Sequence, residues 1–453
     1  MTDLFIPKGT YQRSVGNLPP FVLTNMYAEA TPSAKGGVSL QSWPGLLSTA
    51  TRGLGPIHGI FRKPDLFGGA TFTVSGSNAL YKDGTLLGTI DGSGPVSWAN
   101  TNTEIVVTRG ASAWSYNGTN FAAVAFPDGA NVTAVTALSE RFIYARASSY
   151  RFYWSDLLDG RTVGALNYAS AESSPDWIRD VAAIGETLFL GGGDTIEAWF
   201  TTGDSILPFR RITNRTARVG VIATGCMVDI DNALHFIGSD RVAYRMGDVP
   251  DRISDSGIEE ALNASTTFSC FPMVWNGHPV FYCRLDTETL GFDIATGQWH
   301  ERASEGQTNW AAGCCIQQAD GTPLFGSAIT NDLLIHSGWA EGASDLVRTF
   351  TAAIPSDGTI PVDEVEIECN SGTGSVADPM VEMRFSRDRG NIWSAWVAKP
   401  LGNNGKFRTR PRWRRLGYAD APGLLLQFRV SAAVDFRVSG STGQESASGR
   451  TRA

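Results

Sequence analysis

No apolar run in the sequence approaches the roughly 18 residues that a membrane span needs, and the opening Met1-Thr2-Asp3-Leu4-Phe5-Ile6-Pro7-Lys8 has neither the basic nor the apolar stretch of a secretory leader. Membrane insertion is therefore not expected. Positive charge is also in deficit, with 37 Lys and Arg against 45 Asp and Glu for a net charge of −8. Tight wrapping of nucleic acid through counterion release is excluded by that balance. The six cysteines, at Cys226, Cys270, Cys283, Cys314, Cys315 and Cys369, form no C-x-x-C pair and no Cys/His spacing suited to zinc. Cys314 and Cys315 would point to opposite faces of a strand, so packing explains them better than a redox pair, and all six are expected as reduced, mostly buried thiols. The histidines, His58, His235, His278, His300 and His336, include no i, i+4 ligand pair. No metal, cofactor or catalytic residue is expected.

Regular helical periodicity is scarce too, and short alternating stretches bounded by Gly, Asn and Asp take its place, which reads as mainly β structure. At 453 residues, 42% of them hydrophobic, the chain exceeds one ordinary core and should fold as two units. Three stretches share one form: Ala79–Leu87 around Asp83-Gly84, Ala113–Phe121 around Asn117-Gly118, and Gly291–Trp299 around Thr296-Gly297. Each predicts a hairpin whose turn needs positive φ. Hairpins of one type spaced by tens of residues suggest a β-propeller of uncounted blades, with a pair of β-sandwiches as the alternative. Residues 1–50 are interrupted by Pro7, Pro19, Pro20, Pro32 and Pro44 and are expected to form an extended arm without a core. The propeller should then occupy 51–345 and a β-sandwich-like domain 346–440, where strands such as Val362–Cys369 alternate. Residues 441–453, nearly free of apolar side chains, should be a mobile tail. One brief helix is predicted near Ser256–Asn263, with Ser256 and Glu259 at capping-box spacing.

Two motifs invite a functional reading. Ser386-Arg387-Asp388-Arg389-Gly390-Asn391-Ile392-Trp393 fits the Asp-box pattern of sialidase-type propellers. Its parts are those of a hairpin turn, with the Asp accepting backbone N–H bonds and the Trp packing beneath, and none of these roles is catalytic. The segment Lys406–Gly417 is the densest positive run. On a strand, period-two geometry would align Arg408, Arg410, Arg412 and Arg414 on one face, and Pro411 would make that strand an edge. Such a ridge needs neutralising charge, for which acidic surface on a neighbouring subunit or domain is the preferred partner, ahead of solvent or DNA. Gly191-Gly192-Gly193-Asp194 lacks the Lys-Ser/Thr of a phosphate loop and reads as a sheet turn.

Ser173-Ser174-Pro175-Asp176-Trp177-Ile178, then Leu188–Phe200 with Thr195-Ile196-Glu197, resemble the packaged-DNA stabilisation (tail-nozzle) proteins of P22-like short-tailed bacteriophages. The resemblance continues through Asp251-Arg252-Ile253-Ser254 and Glu259 and returns at Trp413-Arg414-Arg415-Leu416-Gly417. It implies a structural virion protein with no enzymatic activity, made in the host cytoplasm and placed in the phage tail. It also implies a homo-hexameric ring beneath the portal and tail adaptor, closed distally by a needle, with tailspike or fibre as further neighbours and double-stranded DNA passing non-specifically through the channel. A weakly acidic surface suits such a passage, because it repels phosphates instead of retaining them. Pro175, Asp176, Glu197, Arg252, Ser254, Glu259, Trp413, Leu416 and Gly417 are then expected as fold signatures. The alternative is a receptor- or glycan-binding propeller at the tail tip, suggested by the aromatic loops and the Asp box; a sialidase-like hydrolase would rest on the Asp box alone.

Overall fold

The structure, a computed structural model, describes residues 2–3, 5–11, 21–31 and 37–445. Among these, seven four-stranded antiparallel units follow one another around a ring. Blade 1 runs Ile57–Phe61, Phe72–Ser75, Ala79–Lys82, Thr85–Thr89. Blades 2 to 6 span 92–123, 132–170, 180–217, 227–252 and 269–302 in the same up-and-down order. Blade 7 takes Ala312–Gln317, Pro323–Ser327 and Asp332–His336 from the end of this series, and its fourth strand, Leu46–Thr51, from before blade 1. That strand pairs antiparallel from His336↔Leu46 to Asp332↔Thr51. The first strands of adjacent blades touch all the way round, and the first strand of blade 7 meets that of blade 1. The ring is therefore closed without a covalent joint, by backbone pairing between distant parts of the chain.

The three predicted hairpins all join the third and fourth strands of a blade, in blades 1, 2 and 6. At the first, Lys82 pairs with Thr85 across Asp83 (φ 47) and Gly84 (φ 88), the positive angles that Asp-Gly supplies at little cost. Alternating strand residues fill the gaps between blades. Phe72, Val74 and Leu80 of blade 1 cluster with Ile105, Val107 and Tyr116 of blade 2, and the pattern repeats around the ring.

The second unit is a β-sandwich. One sheet orders Met26–Ala30, Val38–Ser42, Val438–Glu445, Ile360–Cys369 and Arg412–Ala419, and the other Leu23–Thr24, Arg348–Pro355, Gly423–Val430, Met380–Ser386 and Val397–Pro400. Phe350 stacks on Phe428 at 4.8 Å, with Trp413, Val365 and Leu426 in the same core.

Two expectations are corrected here. The N-terminal segment is no coreless arm: Leu23, Met26, Ala28 and Leu40 are buried in the sandwich core, while Tyr27, Trp43 and Leu46 pack into blades 6 and 7. Proline punctuates this segment without preventing short strands between the prolines, and Pro19, Pro20 and Pro32 lie outside the described residues. Nor does the tail begin at 441. Val438–Glu445 lies inside the first sheet, paired with Ile360–Cys369 from Cys369↔Val438 to Val362↔Glu445. Gly and Ser are poor strand formers, and the free strand edge beside them decides. Residues 446–453 lie outside the described residues. Among the described residues, no helix is long and apolar enough to cross a membrane.

Candidate functional site

The arginine ridge is built on the edge strand Arg412–Ala419, preceded by a loop that holds Arg408 and Arg410. Its neighbour Ile360–Cys369 runs antiparallel with Glu364 opposite Arg414 and Glu366 opposite Arg412. Period-two alternation places the acidic and basic side chains on one face. Arg414 meets Glu364 at 2.5 Å, Arg412 meets Glu366 at 2.5 Å and Glu364 at 3.8 Å, and Arg410 meets Glu366 at 2.9 Å and Glu368 at 3.9 Å. The preferred partner, acid on a neighbouring subunit or domain, is thus corrected for these three: the acid comes from the adjacent strand of the same sheet. The signal was present in Glu364-Val365-Glu366-Ile367-Glu368, whose alternation matches that of the arginines. Arg408 stands apart, exposed and without an ion pair among the described residues. Trp413, pointing the other way, is buried and donates its indole N–H to the Val397 carbonyl at 2.8 Å. Leu416 joins the core, and Gly417 (φ 83), following Arg415 (φ 61), allows the irregular backbone where the ladder shifts register.

The remaining signature residues hold turns and blade junctions. Asp176 accepts the backbone N–H groups of Asp194 (2.7 Å) and Thr195 (3.0 Å) and so holds the Gly191–Asp194 turn of blade 4. A Cβ on Gly192 would lie 2.1 Å from the Asp176 carboxylate, which explains a glycine there without any phosphate. Pro175, exposed, precedes this cap. Glu197, buried, accepts from the Ser173 backbone N–H at 2.7 Å and from the Trp199 indole at 2.8 Å. Arg252 grips Glu259 through both carboxylate oxygens, and Ser254 donates to the same group at 2.8 Å. Glu259 thereby ties the helix Ser256–Ala264 to blade 5, and the capping-box expectation is corrected: Asp255 is the N-cap, accepting from Gly257 at 2.8 Å and Ile258 at 3.0 Å.

The Asp box forms the expected turn, in the sandwich and not in the propeller. Asp388 accepts from Ile392 N–H at 2.8 Å, and Ser386 accepts from Gly390 N–H at 2.9 Å. Trp393 does not pack beneath it; it stacks on Arg384 at 4.6 Å, as does Trp396, which also faces Arg429 at 4.2 Å. All six cysteines are free thiols, with Cys226, Cys283 and Cys315 buried and the others half-buried.

Two buried polar sites carried no sequence signal, because neither has a motif. Asp180, on the first strand of blade 4, accepts from Gly225 (2.9 Å), Cys226 (3.1 Å) and Met227 (3.1 Å) at the entry to blade 5, and from Val181 (3.0 Å). Burial pushes its carboxyl up to about 7 despite those four donors. Arg302, fully buried, lies over Trp310 at 4.1 Å and Trp43 at 5.2 Å, clamping the N-terminal segment to blades 6 and 7. His300 and His336 pack on Trp43 beside it.

Burial lowers the His300 imidazole to about 3, against 6.5 in an unfolded chain. Between those values the unfolded chain binds a proton that the folded one refuses. This contribution leaves stability intact above pH 6.5 and erodes it as pH falls towards 3, by up to about 5 kcal/mol at 1.36 kcal/mol per unit. His300→Gln should flatten the fall of the urea midpoint between pH 6.5 and 4, and an unchanged slope would refute this account.

These side chains join turns, blades and sheets, and the architecture they hold is a closed β-propeller joined to a β-sandwich. The chain belongs to the bacteriophage P22 Gp10 family: residues 2–313 match the family described as its beta-propeller and residues 347–444 the one described as its beta-sandwich. It is accordingly a phage structural protein. No curated protein matches the sequence. Similar solved structures include BamB from Moraxella catarrhalis (12% identity, 65% of this chain and 96% of that one, TM-score 0.38) and the Dos1 propeller (11%, 74% and 95%, 0.38). Raptor from Chaetomium thermophilum is another, at 11% identity, 66% of this chain and 29% of that one, TM-score 0.41.

Proposed function

We propose that the chain forms the tail nozzle, a homo-hexameric ring that extends the portal and adaptor channel, retains the packaged genome and serves as its conduit at ejection. The observation that carries this reading is the match of both modules, propeller and sandwich, to the two P22 Gp10 families. The mechanism is geometric. Each blade pairs its strands through backbone hydrogen bonds and the closed ring packs blade against blade, and a symmetric assembly of such rigid units holds a fixed bore under load. The net charge of −8 keeps DNA from adhering to the assembly. The adaptor and needle are the axial neighbours in this reading, with tailspikes or fibres at the periphery.

Particles lacking the protein should fill their heads and then lose DNA, measured as full against empty capsids by sedimentation. Stable, infectious particles without it would contradict the proposal. The glycan-binding alternative has less support, because Trp393 and Trp396 stack on arginines of their own domain.

A further inference from the structure

Three of the six cysteines meet in one place. Cys270 lies on the first strand of blade 6, Ser269–Trp275, and Cys283 on the second, His278–Arg284, while Cys226 immediately precedes Met227–Ile230, the first strand of blade 5. Cys226 and Cys283 are buried in the core between these blades, and Cys270 packs against that core half-buried, its thiol in hydrogen-bonding contact with both. The other three are dispersed: Cys314 and Cys315 belong to two different cores, and Cys369 packs against the sandwich core. Among the described residues no group of His, Cys, Asp and Glu is arranged to hold a metal ion, so the cluster is explained either by thiol chemistry or by packing alone.

The strand register favours thiol chemistry. Cys270 stands directly opposite Cys283 in the ladder. Opposed residues of an antiparallel pair alternate between those that exchange backbone hydrogen bonds, with Cα atoms about 5.5 Å apart, and those that do not, at about 4.5 Å with side chains closer. Two observations put this pair in the second class. The Cys270 N–H is turned away from Cys283 and donates to the Gly225 carbonyl at 3.1 Å. Pro272, which has no N–H to give, stands opposite Phe281 on the same two strands, and alternate positions of a ladder belong to the same class. A Cα separation of about 4.5 Å lies inside the range of roughly 4.4 to 6.8 Å that a disulfide spans. Both side chains project into the same core, so no strand has to move for the sulfurs to join.

We propose that Cys270 and Cys283 form a disulfide across blade 6 once the protein leaves the reducing cytoplasm. The oxidant is a small-molecule disulfide. The Cys270 thiolate, the more accessible of the two, attacks one sulfur of that molecule, which breaks its S–S bond and releases one small thiol. The Cys283 thiolate then attacks the Cys270 sulfur of this mixed disulfide and releases the second. Two protein thiols are oxidised, one external disulfide is reduced to two thiols, and the protons lost by the cysteines end on the released thiols. Burial holds the Cys270 thiol well above its usual range, which keeps the thiolate scarce and exchange slow, so folding and assembly are completed with the pair reduced. The bond cross-links the blade that carries the sandwich, where Glu301 pairs with Thr24. Only its timing rests on the chain's place in a phage particle; the pairing stands on the register.

The test uses the full-length chain, purified reduced and incubated for days with oxidised glutathione at about pH 8. Remaining thiols are then alkylated in denaturant and the protein is mapped by mass spectrometry. Four of the six thiols should remain, the mass before alkylation should fall by two hydrogens with no glutathione attached, and one cross-linked peptide pair should join Cys270 to Cys283. The urea midpoint should rise by about 0.5 M and return on reduction. Cys226→Ala should leave the bond in place, whereas Cys283→Ala should hold glutathione on Cys270 as a mixed disulfide, because the sulfur that resolves it is gone. Six surviving thiols, a bond from Cys270 to Cys226 in the unaltered protein, or glutathione that stays attached to it would each overturn the proposal. The thiol count is made on the unaltered chain, so a variant that fails to fold does not blunt the test.

Discussion

Deletion of residues 1–51 is expected to abolish cooperative folding of both modules, although the deleted segment lies outside the continuous run of blades. Leu23, Met26, Tyr27, Leu40, Trp43 and Leu46 are all buried. At about 2 kcal/mol each, their loss removes roughly 12 kcal/mol, comparable with the whole net stability of a typical domain, about 5–15 kcal/mol. The deletion also takes the strand Leu46–Thr51 from blade 7 and leaves Asp332–His336 as a raw edge. Urea unfolding and limited proteolysis should show no folded core. A truncated chain with a single transition within about 0.5 M urea of the parent midpoint would refute the assignment.

Asp180→Ala should be the most damaging single polar substitution, at about 3–5 kcal/mol. Asp180 is buried, and its removal strands four backbone N–H groups, three of them at the entry to blade 5. Asp180→Asn keeps one acceptor oxygen and should lose visibly less. Equal effects of the two substitutions, or a loss under about 1 kcal/mol for Ala, would mean that the staple between blades 4 and 5 is not maintained by this side chain.

How much of this was legible follows from how local each cause is. The turns at Asp83-Gly84 and Asn117-Gly118 are set by a few neighbouring residues, and they appear where the sequence placed them. The Asp176 cap was visible as a residue type in a resembling motif, while its task of filling the space above Gly192 was not, since cap and glycine lie 16 positions apart. Only half of the arginine ridge is legible in the sequence. Its alternation is plain in the sequence, but which acid neutralises it is not, because pairing between strands some 50 residues apart cannot be read from either strand alone. The N-terminal segment departs from the expected coreless arm for the same reason: proline density speaks to local continuity, and the partners of Leu46–Thr51 lie nearly 290 positions away.

Composition, alternation and turn residues determined a mainly β chain, and they pointed to a propeller-like series of hairpins and a change to sandwich-type strands after about residue 346. The tertiary structure alone decided that there are seven blades, that the ring closes through a strand from the N-terminus, and that Asp180, Arg302 and Trp43 tie the parts together. Those features depend on contacts made only after the chain has returned on itself, and elements remote in sequence carry no shared pattern until they meet.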